Sequence, residues 1–283
     1  MSQNDIKGTI DRYLLKSPKN TMNLESGEPA WEESIIGFAN GADPVFDTFK
    51  KHVGEFHYTP TEIFNKEFPD QPAQPQDLTV ISWALLQRKE TRNENSAEDF
   101  YPSLRWVMAR FPGEAFNESL RQYVVDHLKG KHINAVAPIL SVNYAAKSFP
   151  GHFYASNWSE RHNAYAAGLG TFGLCDGLIT EKGKAHRLGS VVARIQIPAT
   201  QRPYKTHNAY CLYYTDEKCM ACAKRCPVDA ITDQGHDKKK CWDHAGETCA
   251  KYVEENFGMK GYGCGLCQTK VPCENGIPKS LRL

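Results

Sequence analysis

Cys219-Met-Ala-Cys222-Ala-Lys-Arg-Cys226-Pro227 sets three thiols within eight residues and ends them on a proline. The two-residue gap lets neighbouring thiolates converge on one face of a ligand, and Pro227, which has no N–H to continue a turn, sends the chain onward. A C-x2-C-x3-C-P run of this kind wraps one iron–sulfur cubane, while the cysteine before the proline reaches a second. Nine of the ten cysteines lie between Cys211 and Cys273. Each [4Fe-4S] cubane takes four thiolates, so eight of the nine suffice for two clusters. Zinc is the alternative, since Cys219 and Cys222 with Cys264 and Cys267 would also make a four-thiolate site. It accounts for neither the Cys-Pro step nor the five other cysteines nearby. A disulfide framework fits less well, because a chain of 283 residues needs no staples and opens without a secretory leader.

Outward from this run, the length allows one sizeable core and a small module. The formal charge of +1 gives no electrostatic reason to expect nucleic acid or an anionic membrane as a partner. No apolar stretch approaches the roughly 20 residues of a membrane span. Met1-Ser-Gln-Asn-Asp carries no export signal, which with oxygen-sensitive ligands points to the cytoplasm. Residues 1–77 read as an N-terminal extension with a short helix around Ile6 to Leu15, closed by the connector holding Pro69, Pro72 and Pro75. Residues 78–205 form the expected core and residues 206–283 the cysteine module. Within the core, Leu78 to Leu86 suits a strand buried on both faces. A helix capped by Asn117 carries Leu120, Tyr123, Val124 and Leu128 and stops at Gly130. His132 to Val142 and Val191 to Ile197 read as further strands, with a helix from Ser159 to Gly168 between them. The alternation predicts a layered α/β or α+β domain.

Ser159-Glu-Arg-His-Asn-Ala-Tyr-Ala-Ala-Gly168-Leu-Gly170-Thr-Phe-Gly173 leads into Leu178-Ile-Thr180 and Arg187-Leu188. The glycines match a loose dinucleotide pattern, but they follow a helix rather than a strand, so a helix end and turn is the better reading. Joined to the cysteine run, this order of elements resembles the cobalamin-dependent reductases that include reductive dehalogenases and epoxyqueuosine reductases. The resemblance implies an α+β fold: a nitroreductase-like core holding a base-off cobalamin, and a ferredoxin-like module with two [4Fe-4S] clusters. It assigns Cys226, Cys241, Cys264 and Cys267 to one cluster and Cys219 and Cys222 to the other. The remaining two ligands depart from the family pattern; Cys273 is expected as the last, and Cys211 is preferred to Asp216 as the first because thiolate is the softer donor. Cys175 and Cys249 are left as small buried hydrophobes. Gly168, Gly170 and Gly173 are candidates for close approach to the corrinoid, with turn residues as the alternative, and Arg187 for the same cavity along with His152, Arg161 and His162. Tyr154 stands where epoxyqueuosine reductases carry an acid, and phenols keep their proton at neutral pH; its other reading is an aromatic core cluster with Phe153 and Trp158. Electrons would come from a ferredoxin or flavodoxin and reach a small organic substrate. The family's long members carry helical repeats beyond this point, so a tRNA substrate is not expected. The competing reading is an electron carrier whose core docks on another protein.

Overall fold

Ser2 opens the first helix: its Oγ accepts from the Asp5 N–H while the Asp5 carboxylate accepts from the Ser2 N–H, a reciprocal cap that starts α1 (Gln3–Lys16). The computed structural model describes residues 1–149, 152–216 and 218–282. Helix α1 buries Ile6, Ile10 and Leu14, four residues apart on one face. The segment expected to be an extension then supplies strand β1 (Trp31–Asn40), which pairs antiparallel with β2 (Thr79–Gln87) from Trp31 opposite Gln87 to Asn40 opposite Thr79. Its residues from Ile36 to Ala39 are buried consecutively, so the alternation that marks a half-exposed strand is missing there. Between the two strands lie α2 (Val45–Val53) and α3 (Pro60–Glu67), the latter capped by Thr59 and Glu62.

Strand β2 is buried at every position, as its apolar run predicts. Ile81, Trp83 and Leu85 pack toward α1 and α6, while Val80 packs with Phe46, Ile63 and Phe64 of α2 and α3. Each large side chain buried in this way contributes about 1.5–3 kcal/mol. Helices α4 (Lys89–Ala97) and α5 (Leu104–Arg110) lead to α6 (Pro112–Lys129). The last begins at Pro112, whose fixed φ suits a first helical position, rather than at Asn117. Asn117 lies inside the helix and is fully buried; it accepts from Trp83 Nε1 and donates to the Leu188 carbonyl, both at 2.9 Å.

The strand expected over His132 to Val142 shrinks to β3 (Ala135–Val136), because Pro138 cannot donate to a ladder and turns the chain into a short 3-10 segment. A hairpin of β4 (Ala146–Phe149) and β5 (His152–Ser156) follows, and then α7 (Glu160–Ala166), capped by Ser159. Next come the hairpin of β6 (Gly170–Phe172) and β7 (Leu178–Thr180) and the strand β8 (His186–Ala193), which starts and ends earlier than the expected Val191 to Ile197. Its end falls where the Ile195 N–H turns back to the Ala193 carbonyl. The main sheet has the order β1-β2-β8-β3, antiparallel throughout. The fold is thus mixed α/β with small sheets.

The cysteine-rich module contains α8 (Leu212–Asp216), α9 (Ala221–Lys224), the hairpin β9 (Ile231–Thr232) and β10 (Gly235–His236), and α10 (Lys238–Trp242), which runs through a π turn into α11 (Cys249–Phe257). Arg225 ties it to the core, donating to the carbonyls of Glu98 at 2.8 Å and of Asn95 and Leu266 at 3.3 Å. Among the described residues no helix is long and apolar enough to cross a membrane.

Candidate cofactor cavities

A cavity of about 600 Å³ lies where β8, the start of α7 and the cysteine module meet. The module contributes Cys226, Cys241, Cys264 and Cys267 to its lining. A second, much smaller pocket of about 20 Å³ is lined by Cys211, Cys219, Cys222 and Cys273. The eight thiols therefore fall into two sets of four, each lining its own cavity: Cys226, Cys241, Cys264 and Cys267 line one, and Cys219 and Cys222 share the other with Cys211 and Cys273. Cys226 Sγ accepts the Ala230 N–H at 3.2 Å, a backbone contact of the kind that steadies a thiolate. The side chain of Asp216, the competitor of Cys211, lies outside the described residues, as does that of His152. Cys249 is fully buried beside His244 and lines neither cavity. Among the described residues no three His, Cys, Asp or Glu side chains gather as ligands of a single metal ion; a cubane instead spreads its four thiolates over four irons.

The core side of the large cavity is ionic. Arg121, only 1% exposed, donates to Glu114 Oε1 at 2.8 Å and lies 3.3 Å from Glu160 Oε1, and Glu114 also pairs closely with Arg187. Burial opposes the charge on Glu114, but the guanidinium groups of Arg187 and Arg121 outweigh it and hold the carboxyl at about 2. For Glu160 burial prevails over Arg121 and pushes its pKa up. His186 Nδ1 is buried without a hydrogen-bond partner, and the buried Glu160 carboxylate has Arg121 as its ion-pair partner. Burial lowers His186 to about 4, so it is neutral at pH 7. On the module side, burial works against the charge of His236, yet its bond to Asp176 raises it to about 9. The orphaned His186 nitrogen and the fixed cations suit a polar ligand, since buried polar atoms are normally paired.

Arg187 and Arg161 line this cavity as expected, whereas the three glycines do not. A Cβ on Gly170 would sit 2.2 Å from the Ile179 carbonyl oxygen, and one on Gly168, at φ +80, 2.9 Å from that of Gln201. Both serve close packing of chain on chain, and Gly173 lines the smaller pocket. Tyr154 stands at φ +44, a conformation rare for a side chain of its size, with its ring stacked on Trp242 at 5.1 Å. Trp242 lines the cavity and Tyr154 does not; 48% exposed, it lies at the rim rather than in an aromatic core. His162 packs on Phe49 instead. Besides the ionic residues above, the sequence reading missed Lys184, which lines both cavities, and the cavity role of Cys175, which lines the large one and accepts from Lys184 Nζ at 3.3 Å. A lysine in a turn and a lone cysteine carry no spacing signal.

No family model matches the chain. It is 31% identical over 124 residues to an epoxyqueuosine reductase of Bacillus cereus and 29% identical over 127 residues to one of Bacillus anthracis. Each match takes in 42% of this chain, and the chain spans 30% of the length of these curated relatives. Among solved structures, a selenomethionine-labelled epoxyqueuosine reductase superposes on 99% of this chain and 68% of its own, with a TM-score of 0.51 and 17% identity. A reductive dehalogenase covers 88% of this chain and 31% of its own at a TM-score of 0.48 and 17% identity.

Proposed function

From its kinship with the cobalamin-dependent iron–sulfur reductases, we propose that this protein is a reductase that passes electrons through two [4Fe-4S] clusters to a base-off cobalamin and on to a small organic substrate. Cys226, Cys241, Cys264 and Cys267 would hold the cluster beside the large cavity, and Cys211, Cys219, Cys222 and Cys273 the outer one. The division of eight thiols between two cavities carries this reading. When bound, the corrinoid supplies a strongly reducing cobalt centre. The partnerless Nδ1 of His186 and the buried carboxylate of Glu160 would accept and orient its amides, with Arg187 held in place by Glu114. Tyr154 would deliver a proton from the rim. A ferredoxin or flavodoxin would supply the electrons, and epoxyqueuosine, for which the curated relatives are named, is the first substrate to assay. A pure electron carrier leaves the 600 Å³ cavity without a role.

Anaerobic reconstitution tests the reading. The intact chain should take up about eight irons, and Cys211→Ala about half of that. Added cob(II)alamin should give an electron paramagnetic resonance spectrum without nitrogen superhyperfine splitting from a lower ligand. Stoichiometric zinc without broad visible absorbance would reject the electron-transfer reading, and failure to bind micromolar cobalamin would turn it to the carrier.

A further inference from the structure

Lys184 is the one residue common to the linings of both cavities. It follows the β6–β7 hairpin, and its backbone N–H donates to the Cys273 carbonyl at 3.1 Å, which fixes the chain against the last cysteine of the outer set. Its side chain is buried, the residue being 2% exposed. Among the described residues no carboxylate pairs with the ammonium, and its hydrogen-bond acceptor is Cys175 Sγ at 3.3 Å. Burial opposes its charge, and the thiols that offset burial, Cys175, Cys273, Cys267 and Cys222, draw on both sets. Cys175 in turn packs in one hydrophobic cluster with Cys222 of one set and Cys267 of the other.

A buried ammonium without a carboxylate is costly unless another anion offsets it. Clusters ligated by thiolates are anionic, and each gains one further negative charge when it accepts one electron. A fixed cation between them stabilises the reduced form of both, and hydrogen bonds and net charge near the sulfurs are known levers on cluster potential. We propose that Lys184, steered by its hydrogen bond to Cys175, is a positioning residue that raises the reduction potentials of the two clusters together, which favours uptake of an electron from the external donor and leaves the driving force between the clusters unchanged. The inference rests on the two-cluster reading above. In the step itself, one electron from the ferredoxin or flavodoxin reduces the outer cluster and then moves to the inner one. Lys184 gains and loses no proton, and no bond to it forms or breaks.

The test compares the intact chain with Lys184→Met, which keeps length and removes the charge, and with Lys184→Arg, which restores a cation. Iron content is measured first, then both potentials by redox titration followed by electron paramagnetic resonance. Lys184→Met should retain the full iron content and lower both potentials by at least tenfold in the one-electron equilibrium constant, about 59 mV; Lys184→Arg should recover most of the shift. Full iron with unchanged potentials overturns the inference and leaves the two-cluster reading standing, whereas an intact chain that takes up no cluster overturns the reading itself. A second measurement needs no variant. Among the described residues Lys184 is the only lysine lining either cavity, so pulsed resonance on the reduced intact protein with isotope-labelled lysine side-chain nitrogen should detect one weakly coupled nitrogen. Its absence also overturns the inference.

Discussion

His57 is fully buried, with Nε2 accepting the Ser159 N–H at 3.0 Å and Nδ1 without a partner. Burial, aided by Lys50, pushes its pKa from 6.5 down to about 4, and burial with the neighbouring His57 takes His162 to about 3. The unfolded chain binds protons on these rings near pH 6.5, and the folded chain resists them until about pH 4. Their neutral forms therefore support the fold fully above pH 6.5, and that support is lost as the pH falls toward 4. The denaturant midpoint should drop between pH 7 and pH 5, and His57→Gln, whose amide oxygen can still accept from Ser159, should flatten the drop. Equal slopes for the two proteins would contradict this. Tyr154 makes a second residue-scale prediction: Tyr154→Phe keeps the ring on Trp242 and removes only the hydroxyl, so turnover should fall by about 10²–10⁴-fold at unchanged cluster content. Turnover at the parent rate would free Tyr154 of the role. That the eight cysteines gather around cavities was legible because they recur at short spacings along the chain. Glu160 and Lys184 were not, because their significance comes from the cavity that distant segments close around them.

At the scale of elements, legibility followed the exposure pattern. Strand β2 announces itself as an apolar run and α7 by its cap, but β1 is hidden by consecutive burial and β3 is cut short by a proline whose effect on a ladder is clear only once the ladder is known. The β6–β7 hairpin was read as a glycine-rich turn, yet its glycines are there for contact. With 2.2 Å from a Cβ to the Ile179 oxygen, Gly170→Ala must part the two strands or bend them. It should cost about 1–3 kcal/mol of stability in denaturant melts. Because the hairpin carries Cys175 and leads into Lys184, the same variant should also reconstitute fewer irons. A protein with parental stability and iron content would show that the hairpin tolerates the side chain.

In the whole molecule, the core and the module share their functional parts. Arg225 of the module is held by carbonyls of α4 and its flank, Asn95 reaches back to the Cys264 carbonyl at 3.3 Å, and a Cβ on Gly265 would collide with Trp106 of α5. The crowding of cysteines at one end was legible in the sequence; the stitching between that segment and the rest was not, since it runs through carbonyls that any residue could present. The strand order has a consequence for synthesis. As β2 leaves the ribosome, β1 is already available to pair with it, but its other edge waits for β8, from Leu86 opposite His186 to Thr79 opposite Ala193. At 5–20 residues per second that wait lasts roughly 5–20 s, during which an apolar two-stranded ribbon presents an open ladder. The nascent chain is thus most prone to aggregate until β8 has emerged and closed the open edge of β2.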